Sequence, residues 1–133
     1  MPDAVTDTHA LIWYLQDDAR LSPVAGQHFD DCEHDGGRIR VPSICVVEIV
    51  YLSEKGRIPT DTLDRLLEDL GAPDTVLEVV ELNMPIVLEL RNVSRAAVSD
   101  MPDRIIAATA LYLKLPLISR DGEIQLSGLT IIW

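Results

Sequence analysis

V-T-D-T-H-A-L-I-W, from Val5 to Trp13, puts a carboxylate on a seam between two kinds of local structure. A short apolar strand ends at Asp7, and a helix follows at once, with Ala10, Leu11 and Ile12 supplying its apolar turns. In open α/β sheets that seam is the carboxyl edge of the strands, where ligands bind. Asp is also a favoured helix N-cap, so this stretch by itself leaves two readings of Asp7, cap or ligand.

Working outward, L-S-P-V at Leu21–Val24 places Ser22 as N-cap and Pro23 at the first helical position, and Gly36-Gly37 ends that helix. Arg38 to Val41 reads as a strand. Pro42-Ser43 opens a helix to about Glu54 or Lys55, closed by Gly56. A helix from Thr60 carries Leu63, Leu66, Leu67 and Leu70 on one face and stops at Gly71 and Pro73. Thr75 to Leu82 reads as a third strand, and Asn83 begins a helix with Ile86, Leu90 and Val93 in register. Asp100 to Lys114 is the next helix. Leu117–Ser119 and Leu129–Trp133 close the series as strands. Strands alternating with helices predict parallel crossovers and an α/β sandwich.

The 133 residues are expected to form one domain, 1–133, long enough to bury a core without staples. With 47% hydrophobic and 25% charged residues the chain is globular in composition, and its few aromatics leave the core to aliphatic side chains. Cys32 and Cys45 form neither a CxxC pair nor a disulfide framework. The N-terminus lacks a signal peptide's basic and apolar regions, and no apolar run reaches membrane-spanning length. A soluble, cytoplasmic protein is expected. The net charge of −11 argues against a protein that coats nucleic acid with a basic face. It does not argue against a nuclease, because carboxylates gathered around divalent cations supply negative charge that bound metal reverses locally.

Three further acids stand out. Glu48 is the only charge in S-I-C-V-V-E-I-V-Y-L, so it is expected partly buried, with a cation, an arginine salt bridge or strong donors beside it. In S-D-M-P-D-R-I-I-A-A-T-A, Asp100 stands as N-cap and Asp103 as N3, an arrangement like a capping box, and two carboxylates in one first turn repel unless a cation is near. P-L-I-S-R-D-G sets Asp121 just past a strand, where Asp121-Gly122 also suits an ordinary turn. Asp7, Glu48, Asp103 and Asp121 can share one crevice. Four carboxylates without His or Cys are hard oxygen donors suited to Mg²⁺ or Mn²⁺ rather than zinc. His28 and His34 read as solvated, and His9 reads as a first-turn surface residue close to the crevice. P-loop, dinucleotide, serine-hydrolase and zincin motifs are missing from the sequence.

With these residues in place the sequence resembles the PIN-domain ribonucleases, and in particular the VapC-type toxins of bacterial toxin–antitoxin pairs. D-T-H-A-L-I-W at Asp7 is similar to the family's first motif, V-P-S-I-C-V-V-E-I at Glu48 to the second, D-R-I-I-A-A-T-A at Asp103 to the third, and L-I-S-R-D at Asp121 to the fourth. Ser119 falls at the family's usual Ser or Thr position, and the closing I-I-W is also similar. One departure is D-M-P-D where many relatives read D-P-x-D, which leaves Asp100 without an assigned role.

The resemblance implies a PIN-like three-layer sandwich with a mostly parallel central sheet flanked by helices. It also implies Mg²⁺- or Mn²⁺-dependent cleavage of single-stranded RNA by metal-activated water, a homodimer, and inhibition by a cognate antitoxin. Asp7, Glu48, Asp103 and Asp121 become the metal ligands and catalytic set. Thr8, Ser119, Asp100, Arg104 and Arg120 are candidates for supporting or substrate contacts, with Arg104 equally suited to a surface salt bridge. Two alternatives stand beside this reading. A receiver-like Mg²⁺-binding signalling module needs a phospho-accepting Asp after the third strand and an acidic couple near the first, whereas here the third strand runs into Leu82-Asn83 and Asp7 has no acidic neighbour. A PIN fold kept for binding without catalysis is the other, and four intact acids argue against it.

Overall fold

Asp7 does end a strand and begin a helix. The computed structural model describes residues 3–121 and 124–133. Strand β1 is Ala4–Thr6 and helix α1 is Thr8–Leu15, with the Asp7 carboxylate accepting from the Ala10 amide at 2.9 Å as N-cap. Helix α2, Pro23–Asp35, starts on the Ser22 cap and stops at Gly36, whose φ of 73° is the left-handed conformation that a side chain would strain. Strand β2, Ile39–Pro42, leads directly into α3, Ser43–Glu54, and α4 is Thr62–Gly71. Then follow β3, Leu77–Val80; α5, Met84–Glu89; α6, Met101–Leu113; β4, Leu117–Ile118; and β5, Ile131–Ile132.

Among the described residues five strands form one sheet in the order β3-β2-β1-β4-β5, and each of their pairings is parallel. This is the expected α/β sandwich, parallel throughout. All three residues of β1 and both of β4 are buried, as in strands covered by helices on both faces. A receiver-like module is excluded by topology, since the flavodoxin-like order is 2-1-3-4-5. Here the chain steps from β1 to β2 to β3 on one side and then crosses to β4 on the other side of β1. The connections therefore diverge between β1 and β4, and a crevice opens at their carboxyl ends.

Phe29, Leu11, Ile39, Ile49, Leu66, Leu117 and Ile118 are wholly buried in the main core, and each such side chain contributes roughly 1.5–3 kcal/mol. A smaller cluster of Ile86, Val93, Val98, Ala107, Ala108 and Ile124 packs α5 and α6 together.

The structure departs from expectation at several places, and the last strand, expected over Leu129–Trp133, is Ile131–Ile132. The third strand is trimmed at both ends to Leu77–Val80. The Thr75 hydroxyl donates to Asp69 at 2.6 Å and accepts from the Leu77 amide at 3.1 Å, making a turn of its first residues, and beyond its end the Leu82 amide donates to the Ser43 hydroxyl at 3.2 Å. Leu67 is 56% exposed on α4, off the apolar stripe it was expected to share. The helix after Asn83 ends in a 3-10 turn, Leu90–Asn92, that delivers Val93 into the core beyond it. Among the described residues no helix is long and apolar enough to cross a membrane.

Candidate active site

The crevice at the β1/β4 edge is a cavity of about 580 Å³ lined by Asp7, Thr8, His9, Glu48, Asp100, Asp103, Ile106, Leu117, Ser119, Arg120, Asp121 and Ile124. All four singled-out acids reach it, from four separate parts of the chain. Asp7 arrives at the end of β1, where its amide donates to Ile118 O at 3.0 Å and so continues the parallel pairing past the last strand residue. Ser119 lies beside it, 2% exposed, and its hydroxyl bonds the Asp7 carboxylate and accepts from the Asp121 amide at 3.1 Å. One serine thus ties the first acid to the turn that carries the fourth. Gly122, the second half of the expected Asp-Gly turn, lies outside the described residues.

Glu48 comes from the middle of α3 and is half-buried, as its apolar surroundings require. The arginine salt bridge considered for it is not found among the described residues; instead the Thr8 hydroxyl, 3% exposed, donates to its Oε1. The first and second acid-bearing segments are joined by that bond. Asp100 is the N-cap of α6 and accepts from the Asp103 amide at 3.2 Å. Its capping role and its place on the cavity wall are compatible, because a helix N-terminus is where carboxylates gather at low cost.

Crowding shows in the proton affinities. The Asp103 carboxyl is pushed up to about 6, first by burial and then by repulsion from Asp100, Glu48, Asp7 and Asp121. Asp7 is also raised: burial outweighs the Ala10 amide, the Ser119 hydroxyl and the attraction of His9 and Arg120. Mutual repulsion is the signature of a site that favours a cation. Among the described residues, no three His, Cys, Asp or Glu side chains are already drawn within reach of one ion. The carboxylates face one cavity without closing into a cage, two of them held toward protein donors, Asp7 by Ala10 and Glu48 by Thr8.

The two arginines part company. Arg104 does not line the cavity; its guanidinium donates to Leu90 O at 3.0 Å and Val93 O at 2.9 Å, capping the 3-10 turn below α6. That geometry corrects its candidacy as a phosphate contact, and it forms no salt bridge among the described residues. Arg120 does line the cavity, with Cζ 5.2 Å from the centroid of the Trp13 ring, which Trp133 flanks in turn at 5.8 Å. His28 and His34 stay off the cavity, and His34 is exposed. His9 is exposed as expected, yet it belongs to the wall. Its position two residues after Asp7 was the only sequence signal for this. Nothing local marked Ile106 or Ile124, which join the wall through the packing of α6 and the segment after β4.

The PIN domain model matches residues 4–126, spanning all four acids and the crossover that creates the crevice. The chain belongs to the PIN domain family. Several solved structures share this PIN fold. A chain of the VapBC2 complex of Rickettsia felis, bound to a DNA fragment from its promoter, aligns over 97% of this chain and 96% of its own, with 13% identity and a TM-score of 0.73. A chain of DNA-bound VapBC from Salmonella typhimurium aligns over 98% and 97%, with 20% identity and a TM-score of 0.70. A chain of a toxin–antitoxin complex from Klebsiella pneumoniae gives 96% and 95%, 20% identity and 0.64. Among curated proteins no match was found. At such identities the PIN fold is what is shared, and the site must be argued from its own residues.

Proposed function

We propose that this PIN-domain protein is an endoribonuclease, the toxin of a toxin–antitoxin pair, and that it cleaves RNA with a divalent cation held by Asp7, Glu48, Asp103 and Asp121. The observation that carries this reading is the convergence of four carboxylates, from four segments, on one cavity at the sheet's switch point in a PIN-family chain. The donor set fits the group: all-oxygen, anionic and mutually repelling, it suits Mg²⁺ or Mn²⁺. When bound, a divalent ion supplies Lewis-acid polarisation of the phosphodiester and makes water acidic enough to attack near neutral pH.

The chain's own residues then have distinct tasks. Thr8 orients Glu48, and Ser119 holds Asp7 and the Asp121 turn in one arrangement. Arg120, steadied on the Trp13 face, offers a cation to a non-bridging phosphate oxygen at the cavity mouth. Ile106, Leu117 and Ile124 form an apolar wall that strengthens each electrostatic contact inside.

An antitoxin partner is supported by the VapBC and toxin–antitoxin complexes in which similar chains occur and by the net charge of −11, which suits a basic polypeptide. A homodimer is supported by Met84 and Leu88, 64% and 47% exposed one turn apart on α5, with Met101 at 64% at the start of α6. The test of the activity is incubation of partner-free protein with single-stranded RNA in Mg²⁺ or Mn²⁺. Cleavage is expected to stop in EDTA and in Asp7→Asn; cleavage indifferent to both would remove the metal-dependent reading.

A further inference from the structure

Next to the acidic cavity lies a second one, of about 250 Å³, and His9 and Trp13 tie the two together. His9 lines both. The Trp13 indole lines the second, with Arg120 of the first cavity at 5.2 Å on its ring and Arg20 of the second at 5.3 Å. The floor of the second cavity is apolar, formed by Ile12, Leu52 and Ile58, while Arg20 and Arg57 stand at its rim. Arg20 shares its charge with Asp18, whose carboxylate it meets at 2.8 Å. Arg57 has no side-chain hydrogen bond or ion pair among the described residues. It is presented by the turn at Gly56, with φ of 66°, and held by its amide donating to Leu52 O at 2.9 Å. In a chain with 22 acidic and 11 basic residues, the charged side chains lining the second cavity besides His9 are Asp18, Arg20 and Arg57, and with Arg20 paired to Asp18 the guanidinium of Arg57 is left as its uncompensated cation among the described residues.

We infer that the Arg57 groove is a subsite for the single-stranded RNA next to the scissile phosphate, with Arg57 on a backbone phosphate and one base over the apolar floor beside His9. The inference rests on the ribonuclease reading given above. A polyanion entering the carboxylate cavity needs an anchor outside it, and the Arg57 groove supplies a cation together with apolar surface, the two elements of single-strand binding. A basic antitoxin segment would instead meet like charge at Arg57.

The experiment measures binding of a fluorescent single-stranded RNA to the Asp7→Asn protein, with Mg²⁺ constant and NaCl varied, before and after adding Arg57→Ala, Arg57→Lys or Arg57→Glu. Arg57→Ala is expected to weaken binding about tenfold and to lower the slope of log affinity against log salt by about 0.7, the loss of one phosphate contact on a single strand. Arg57→Lys should recover most of the affinity and Arg57→Glu should lose more. With Asp7 restored, Arg57→Ala should raise KM for RNA and leave kcat nearly as it was. Unchanged affinity and salt slope in all three variants would overturn the subsite, and so would an effect of Arg57 confined to antitoxin binding. Active protein with an inert Arg57 would sink the subsite and spare the nuclease; Arg57-dependent RNA binding by a protein that cleaves nothing would do the reverse.

Discussion

At the scale of single residues the site is a balance between repulsion and local bonds. Asp103 has a folded-state proton affinity near 6 against an ordinary 3.8, so between those values the folded protein holds more protons than the unfolded one. Its contribution to stability is complete below about pH 3.8 and is lost as pH rises through about 6. Metal-free protein should therefore melt at a lower temperature at pH 7 than at pH 5, and Asp103→Asn should flatten that slope; melts in EDTA across this range, about two pH units, check it. Asp18, pulled down to about 2 by its hydrogen bonds to Arg20, acts in the opposite sense but only below about 3.8, outside the window. Thr8→Val removes the donor to Glu48 and should cost roughly 10–100-fold in RNA cleavage, with Thr8→Ser retaining most of it, because supporting hydrogen bonds at metal sites are worth about that much. Equal rates in all three proteins would show Glu48 needs no positioning.

At the scale of elements, helix α6 carries two carboxylates in its first turn that do opposite things. Asp100 satisfies the Asp103 amide, so Asp100→Ala should lower stability by about 1 kcal/mol with or without metal. Asp103→Asn should cost nothing in EDTA and lose the stabilisation that Mg²⁺ gives the parent, about 1.4 kcal/mol at ten times the dissociation constant. Urea titrations of the two variants in both conditions separate cap from ligand. A parent protein indifferent to Mg²⁺ and Mn²⁺ would return Asp103 to a purely structural place.

At the scale of the whole molecule, parallel strands with the order β3-β2-β1-β4-β5 create one carboxyl-edge crevice and bring Asp7 and Asp121 to it, while α3 and α6 contribute Glu48 and Asp103. The exposed apolar side chains on α5 and the start of α6 predict self-association. Met84→Glu with Leu88→Glu is expected to give monomer where the parent runs as dimer, read by light scattering, and a parent that is monomeric at micromolar concentration would remove the dimer. Antitoxin affinity can be followed in the same variants to separate the two surfaces.

Much of this protein was legible along the chain because the signals are local. Strand-to-helix seams, the Ser22-Pro23 start and the Gly36 stop depend on neighbouring residues, and the solitary charge of Glu48 in an apolar helix announced a half-buried carboxylate without any fold. Motif order was enough for the family, which the PIN match over residues 4–126 bears out. What only tertiary structure decided is which groups meet. Thr8 and Glu48 are forty positions apart, and nothing nearby in sequence distinguishes a threonine donor from an arginine. Arg104 and Arg120 look alike beside their acids, yet one is consumed by the carbonyls of Leu90 and Val93 and the other rests on Trp13. Partner choice depends on strand order and helix packing, and those are properties of the folded chain's long-range contacts rather than of any window of sequence.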